Sequence, residues 1–332
     1  MKAIVLQENR EFRLENVETP KPESNQIQVK IKASGFNPID YQMTEDGSER
    51  KLLRSPILGR EFSGIVSEIG NQVTDFKVGD AILCGSGSMG SNGTYAEYIS
   101  IPEAIAVHKP ANISFEEAAA IPSAGLTALQ AFNRMNASLE DSILITGAAG
   151  GVGNMFVKLL IANRYENFVV TAGNENSIES LINLGVKQKQ IINYKKEEIY
   201  KTALSLNENR NFDFVVDLVG NDVAEIAARL LKINGVYVDV TNFSTPESRD
   251  ILFGKGATIF NISNYAYGLE KRYDYYKNGL NQLTLLLQNG KITPPNIEVI
   301  GSLEVETVTK ALNILRENKT QGRKLIMQID CD

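Results

Sequence analysis

The sequence predicts an α/β protein of two domains, one rich in β-strands and one built on a doubly wound parallel sheet. Residues 1 to about 110 alternate apolar and polar positions in short runs separated by Gly, Pro, Asn and Asp, which is typical of half-buried strands. Between about 140 and 265, strand and helix patterns alternate, which is typical of βαβ units. The length of 332 residues suits two such domains.

Strands and turns dominate the first region. Segments 26–32, 62–69 and 94–100 have strand patterns bounded by turn residues. The period changes at Ser114, where Ser114 and Glu117 have the spacing of a capping box and begin a helix. This part of the chain therefore forms the β-rich domain and leads into a helix.

The middle region contains the alternating elements. The predicted strands are 142–146, 168–171, 214–217 and 236–240, and the predicted helices are about 152–163, 176–184 and 221–232. A further apolar segment, 257–262, suits an edge strand of the same sheet. We expect this edge to pair with a second copy of the chain, giving a homodimer or homotetramer.

The last region of the chain is expected to belong to the same domain as the first region. Amphipathic helices are predicted at about 274–289 and 303–317, followed by a strand at 324–329. A strand that follows the βαβ block most simply joins the N-terminal sheet. We therefore expect a discontinuous domain of residues 1–121 and 266–332, with the parallel-sheet domain at 122–265.

Composition limits the classes of function. The formal charge is −6, from 34 basic and 40 acidic residues, so neither nucleic acid nor a membrane is an expected partner. Two cysteines and one histidine exclude a disulfide scaffold and a cysteine-rich metal site. We expect Cys84 and Cys331 to be free thiols and His108 to be a surface or strand-end residue. The N-terminus becomes charged too early for a signal peptide, so a cytoplasmic location is expected.

A glycine-rich loop carries the clearest chemistry. After the strand ending at Thr146 the chain reads Gly-Ala-Ala-Gly-Gly-Val-Gly and then enters a helix. Gly150 and Gly153 match the last two glycines of G-x-G-x-x-G, with Ala148 in the first place. Such a loop turns tightly, admits a pyrophosphate and aims helix amides at it, whereas a plain tight turn is the alternative. The candidate cofactor-binding residues are Gly147, Ala148, Ala149, Gly150, Gly151, Val152 and Gly153.

The end of the next strand favours NADP over NAD. An NAD site usually has a carboxylate there to hold the ribose 2′-hydroxyl, but the sequence has Asn174, with Glu175 only in the following turn. Asn174 and Ser177 can donate hydrogen bonds to a 2′-phosphate without repelling it. For Asn176, an ordinary polar loop role is the simpler interpretation.

Several separated segments carry a family resemblance. They are Gly35-Phe36-Asn37-Pro38-Ile39-Asp40, residues 56–66, Phe76-Lys77-Val78-Gly79-Asp80, residues 93–98, residues 117–122 and Gly125-Leu126-Thr127-Ala128. In order and spacing, the chain resembles the zinc-independent quinone oxidoreductase (zeta-crystallin-like) branch of the medium-chain dehydrogenase/reductase superfamily over essentially its whole length.

The resemblance implies a GroES-like β domain that houses substrate and a Rossmann domain that binds the dinucleotide. By resemblance, Thr127 lies near the nicotinamide and Arg323 near the cofactor. The other implied cofactor residues are Gly173, Ser177 and Tyr194 at the adenosine phosphate end, and Val219 and Asn242 at the nicotinamide half. Ordinary packing explains Val219 equally well.

The resemblance also implies that no zinc is bound. The early cysteine of zinc-dependent relatives falls in segment 37–40, and their His-Glu pair falls at Arg60-Glu61. No set of zinc ligands remains. Without zinc, the expected chemistry is hydride transfer from NADPH to a small-molecule acceptor that stabilises its own charge, a quinone or an α,β-unsaturated carbonyl.

Asn37 and Tyr41 are the candidate hydrogen-bond donors to the acceptor oxygen, with a purely structural turn role as the alternative. Asp40 is expected to brace that turn rather than to donate a proton. Loops such as 43–55 and 244–255 would contact the acceptor. The alternative functions are an enoyl-thioester reductase and a non-catalytic NADPH-binding sensor or structural protein.

Overall fold

The computed structural model describes residues 1–45, 47–242 and 244–329. The chain divides into two compact units, one formed by Met1–Leu126 with the residues from Tyr265 onward, the other by Thr127–Asn264. The expected division was at 121/122 and 265/266. Cys331 lies outside the described residues.

The first part of the discontinuous unit is mostly strand. A hairpin pairs β1 (Lys2–Leu6) with β2 (Phe12–Asn16). The remaining elements before the second unit are β3 (Gln26–Gly35), α1 (Pro38–Gln42), β4 (Phe62–Ile69), β5 (Ala81–Cys84), β6 (Tyr98–Pro102), β7 (Ala106–His108) and α2 (Phe115–Ala119), with short 3₁₀ helices at Ser48–Leu52 and Glu103–Ile105. Ser114 and Glu117 form the predicted capping box of α2, with hydrogen bonds of 2.8 and 3.1 Å.

Helix α3 (Pro122–Met135) leads into the second unit. Its elements are β8 (Ile143–Ile145), α4 (Gly151–Ala162), β9 (Phe168–Ala172), α5 (Glu175–Asn183), β10 (Ile191–Asn193), α6 (Ile199–Leu206), β11 (Phe212–Asp217), α7 (Asp222–Leu230), β12 (Leu231–Asp239), α8 (Pro246–Gly254) and β13 (Thr258–Asn261), with a 3₁₀ turn at Gln188–Gln190. The six strands are parallel, in the order β10-β9-β8-β11-β12-β13. This is the doubly wound arrangement that the alternation of strands and helices predicts.

Burial explains why the sequences of the central strands are continuous apolar runs. All five residues of β9 are buried, because helices cover both faces of a parallel sheet. Strand β13 lies at the edge of the sheet, as expected for segment 257–262. The expected loop 244–255 is instead largely helix α8, which begins with Thr245 as N-cap and a proline in the first turn. That pair is a helix-start signal, and the loop prediction there was wrong.

The C-terminal part comprises α9 (Asn264–Leu269), α10 (Tyr273–Gln288), β14 (Ile297–Gly301), α11 (Val305–Arg316) and β15 (Lys324–Gln328). Strand β15 pairs antiparallel with β3, so the last strand does join the N-terminal sheet. That seven-stranded sheet has the order β14-β15-β3-β4-β5-β7, with β6 also paired to β3.

The residues that could have offered a metal or redox role have ordinary structural positions. His108 ends β7, is exposed, and its ring centroid lies 4.8 Å from that of Phe76. Cys84 is a buried free thiol whose pKa is raised by burial, which makes it unreactive. Within the described residues, no helix has the length and apolarity needed to cross a bilayer.

Candidate active site

The glycine loop follows β8 and turns sharply into α4. Gly147 has φ +66°, a conformation that side chains rarely adopt, and its N–H donates to Thr171 Oγ1 at 3.1 Å. Gly150 is the N-cap residue of α4, whose first N–H groups have no acceptor within the helix. The loop therefore presents backbone donors at the positive end of a twelve-residue helix.

Gly150 and Gly153 are glycines for different reasons. A Cβ atom at Gly153 would lie 2.6 Å from Cα and O of Ala148, so only glycine allows the helix to pack on the loop. A Cβ at Gly150 would meet only the carbonyl oxygen of Gly147, at 3.4 Å. The space beside Gly150 is open to a ligand, as the second glycine of a dinucleotide loop requires.

Two further predicted residues follow the carboxyl ends of neighbouring strands. Val219 and Asn242 donate their N–H groups to the carboxylates that end β11 and β12, Asp217 (3.1 Å) and Asp239 (2.9 Å). The Val219 side chain lies 2.8 Å from where a Cβ would stand on Gly147. The structure thus brings Val219 to the glycine loop, at the edge of the sheet where doubly wound folds bind ligands. Thr127, in the same unit, accepts a hydrogen bond of 2.8 Å from the Asn264 amide.

Gly173 and Tyr194 also come together. A Cβ at Gly173 would lie 2.1 Å from Tyr194 Cζ, so the tyrosine ring rests directly on the glycine backbone. Asn174 is the N-cap of α5 and accepts from the N–H of Ser177 at 2.8 Å. Four residues predicted for the adenosine phosphate end are therefore adjacent at the ends of β9 and β10.

Two lysines beside this group were not selected from the sequence. Lys195 lies 5.7 Å from the centroid of the Tyr194 ring, and Lys196 forms an ion pair with Glu175 at 3.3 Å. Glu175 is the carboxylate that follows β9, so a cation faces the acidic residue that would oppose a 2′-phosphate. The Lys-Lys dipeptide directly after Tyr194 could have identified both lysines from the sequence.

A buried polar cluster lies in the discontinuous unit. The Glu61 carboxylate is fully buried, and its Oε1 lies 2.5 Å from the ammonium of Lys324, which is 7% exposed. Asn37 Nδ2 donates to Glu61 Oε1 at 2.8 Å, and Lys324 Nζ donates to Asn37 Oδ1 at 2.6 Å. The backbone N–H of Ser123 donates to Glu61 Oε2 at 2.7 Å. These contacts fix the Asn37 amide in one orientation. We name Asn37, Glu61 and Lys324 the amide cluster.

Asp40 braces the turn next to this cluster. Its Oδ2 accepts from the N–H of Asn37 at 2.8 Å and from the hydroxyl of Tyr95 at 2.9 Å. Burial raises the pKa of Asp40 to about 6, because desolvation of the carboxylate outweighs these hydrogen bonds. Its other oxygen has no hydrogen-bond partner within the described chain.

Tyr41 and Arg323, two further predicted site residues, contact residues outside the amide cluster. The Tyr41 ring lies 5.3 Å from the guanidinium carbon of Arg316. Arg323 pairs with Glu298 at 3.0 Å and is 42% exposed. No contact recorded among the described residues joins either side chain to the amide cluster. Lys324, the residue after Arg323, is part of the amide cluster and was not selected from the sequence.

The residues at the zinc position do not suit a zinc ion. By the resemblance, the early cysteine of zinc-dependent relatives falls in segment 37–40 and their His-Glu pair at Arg60-Glu61; here Glu61 is already neutralised by Lys324. The ammonium of Lys324 beside Glu61 opposes the binding of a second cation there. Among the described residues, no group of three His, Cys, Asp or Glu side chains could hold a metal.

Comparison with known proteins gives the family. Residues 23–111 match the family described as "Alcohol dehydrogenase GroES-like domain", and residues 186–326 match "Zinc-binding dehydrogenase". The chain is 33% identical to the chloroplast envelope quinone oxidoreductase homolog of Arabidopsis thaliana over 240 residues, 68% of this chain and 69% of the relative. The chain belongs to the medium-chain dehydrogenase/reductase superfamily, in its quinone oxidoreductase-like branch.

Two further comparisons place this medium-chain dehydrogenase/reductase among oxidoreductases. It is 28% identical to 2-methylene-furan-3-one reductase of Solanum lycopersicum over 95% of this chain and 74% of the relative. It is 26% identical to the Escherichia coli quinone oxidoreductase solved in complex with NADPH, with a TM-score of 0.84 over 98% of this chain and 100% of the other. The predicted GroES-like and Rossmann architecture is confirmed, and the protein is an oxidoreductase of that superfamily.

Proposed function

We propose that the protein transfers a hydride from NADPH to a quinone or an α,β-unsaturated carbonyl acceptor, without zinc. The observation that carries the proposal is the amide cluster, which stands at the zinc position of zinc-dependent relatives and offers a fixed neutral donor instead of a metal. The quinone and furanone reductases to which the chain is similar support this class of acceptor.

Asn37 is suited to stabilise the acceptor oxygen. One of its two Nδ2 hydrogens goes to Glu61, and the other has no acceptor within the described chain. Lys324 donates to the amide oxygen at 2.6 Å, which draws electron density away from the nitrogen and strengthens its remaining N–H as a donor. A preorganised donor of this kind stabilises the negative charge that develops on a quinol or enolate oxygen.

When bound, NADPH supplies the hydride, and the chain supplies binding and orientation. The glycine loop offers backbone donors for the pyrophosphate. Ser177, Tyr194 and Lys195 surround the position that suits a 2′-phosphate, and Lys196 neutralises Glu175 there. The similarity to a quinone oxidoreductase solved with NADPH supports the choice of NADPH over NADH.

Turnover tests the proposal. We expect the purified protein to oxidise NADPH when 1,4-quinones or 2-alkenals are added. The reaction is measured as the loss of absorbance of the reduced nicotinamide. NADPH binding without turnover of any of these acceptors would contradict the catalytic proposal and favour a non-catalytic binding role.

The substitution Ser177→Glu tests the choice of cofactor. We expect NADPH affinity to fall by about tenfold or more, because a new carboxylate would face the 2′-phosphate, while NADH affinity changes much less. Ser177 is 5% exposed, so thermal unfolding of the variant is compared with that of wild type to establish that it folds. Calorimetric titration of both nucleotides gives the comparison. Asn183→Glu adds the same charge at the other end of α5 as a control. Equal NADPH affinity in both variants would refute the pocket.

We also propose that two copies associate through β13. This edge strand presents Ile259, 44% exposed, and the preceding helix presents Phe253, 89% exposed. An exposed apolar edge is usually covered by a partner. We expect Ile259→Lys to shift the protein to monomer in sedimentation velocity. Leu14→Lys, a comparably exposed site in β2, should leave the state unchanged. A wild-type protein that sediments as a monomer would exclude the proposal.

A further inference from the structure

Arg60 is a half-buried cation with few hydrogen-bond partners. Burial lowers the pKa of its guanidinium, with Asp40 as the largest opposing charge. Its recorded side-chain hydrogen bond goes from Nη1 to the Met43 sulfur at 3.8 Å. A thioether is a weak acceptor, and no ion pair of Arg60 occurs within the described chain. Most of its five N–H donors thus have no oxygen partner within the described chain, which leaves them available to an anion.

The backbone holds Arg60 in this position. Gly59 has φ +93°, and a Cβ there would lie 2.2 Å from Thr94 Oγ1, so this turn requires glycine. On the other side, the N–H of Gly87 donates to the Arg60 carbonyl at 3.0 Å. A Cβ at Gly87 would lie 3.3 Å from Arg60 Nη2, so the guanidinium lies close against the 87–93 segment. The side chain is therefore fixed between two glycine turns.

A cavity of about 40 Å³ adjoins Arg60. Segments 52–55 and 87–93 line it together with Met43, and its lining includes a second arginine, Arg54. None of its lining residues is acidic. The anion with the largest electrostatic effect on Arg60 is Asp40, which does not line the cavity and already accepts from Tyr95 and the Asn37 N–H. Two cations without a lining carboxylate give the cavity a positive potential.

We propose that this cavity is an anion subsite in which Arg60 binds a carboxylate carried by the acceptor. The planar guanidinium fork matches a carboxylate in two parallel hydrogen bonds, and the volume admits one small polar group. The preferred acceptors are then enones that carry a carboxylate. This assignment rests on the proposed function, since it names the acceptor class for the same activity.

Reduction of such an acceptor adds one hydride and one proton across its alkene. In 4-oxo-2-pentenoate, the hydride of NADPH adds to one alkene carbon and a proton from water adds to the other. The products are 4-oxopentanoate and NADP⁺. The carboxylate forms and breaks no bond, but it is conjugated to the alkene, so the methyl ester also differs in intrinsic reactivity. The change in the acid-to-ester ratio between wild type and an Arg60 variant therefore isolates the contribution of binding.

The test compares 4-oxo-2-pentenoate with its methyl ester. We expect wild-type protein to favour the acid in kcat/KM by about tenfold or more, mostly through KM. In Arg60→Met this ratio should fall by about tenfold or more relative to wild type, and in Arg60→Lys the fall should be intermediate. Arg13→Met, which removes an exposed charge from the same unit, should keep the wild-type ratio. An equal ratio in wild type and Arg60→Met would overturn the subsite.

Calorimetric titration with the saturated product 4-oxopentanoate tests binding without turnover. We expect wild type to bind it at least tenfold more tightly than Arg60→Met does. If simple enals and quinones are reduced but 4-oxopentanoate binds both proteins equally, the subsite is wrong and the proposed function stands. If no acceptor is reduced but the difference in binding is found, the function is wrong and the subsite stands. Inorganic phosphate that binds wild type as tightly as 4-oxopentanoate would overturn the carboxylate assignment.

Discussion

Replacing Lys324 by methionine is expected to lower the free energy of unfolding by about 3 to 5 kcal/mol, the cost of removing one partner of a buried ion pair. The change leaves the Glu61 carboxylate fully buried with only the Asn37 amide and the Ser123 N–H as donors. It also releases the Asn37 oxygen from its 2.6 Å hydrogen bond, so turnover should fall as well. Urea unfolding at neutral pH measures the effect on stability.

A double substitution separates the buried charge from the loss of packing. In Lys324→Met with Glu61→Gln no charge remains to be neutralised, so we expect at least half of the lost stability to return. The matched control is Lys319→Met, which breaks the exposed pair with Glu317 and should cost less than about 1 kcal/mol. If Lys324→Met costs no more than this control, the ion pair does not stabilise the cluster.

Replacing Gly150 by alanine should weaken NADPH binding on the order of tenfold to a hundredfold while leaving the fold intact. Its φ is −67°, which alanine adopts readily, and the new methyl would meet only one protein atom, at 3.4 Å. The methyl would instead occupy the space through which the pyrophosphate approaches the backbone. Nucleotide titration and thermal unfolding, measured on the same sample, separate the two effects.

Gly153→Ala provides the contrast. Its methyl would overlap the backbone of residues 147 and 148 at 2.6 Å, so we expect a loss of about 1 to 3 kcal/mol in stability together with the loss of binding. Gly254→Ala, in open space at the end of α8, should change neither property by much. Wild-type NADPH affinity in Gly150→Ala would show that the loop does not bind the pyrophosphate.

Much of the fold follows from local patterns in the sequence. The strand pattern at 62–69 matches β4, and the capping box at Ser114 begins α2 where expected. Period and capping are properties of neighbouring residues, so they can be read without the partner elements. Helices α1, α3, α6 and α9 were not predicted, and α8 was taken for a loop. Except for α3, with 14 residues, each has fewer than ten residues, and the helical period is hard to recognise over such lengths.

The glycine loop was also predictable, because its conformation depends on Gly147, Gly150 and Gly153 themselves. The sequence did not allow us to predict which side chain at the start of β15 faces inward. Arg323 was selected by resemblance as a residue near the cofactor, which stays a prediction; in the structure it pairs with Glu298 at the surface, whereas Lys324 is buried. Successive residues of a strand point to opposite faces, so a one-residue difference decides which cation is buried.

The sequence by itself determined the two-part architecture, the glycine-rich loop between a strand and a helix, and the scarcity of metal ligands. Only the tertiary structure decided which residues form the amide cluster. Asn37 and Lys324 are 287 positions apart, and they meet because β15 pairs with β3. A carboxylate as buried as Glu61 persists only if some other part of the chain brings it a counter-charge and hydrogen-bond donors. The counter-charge can come from a residue that is distant in sequence, so no local sequence pattern indicates which residue provides it.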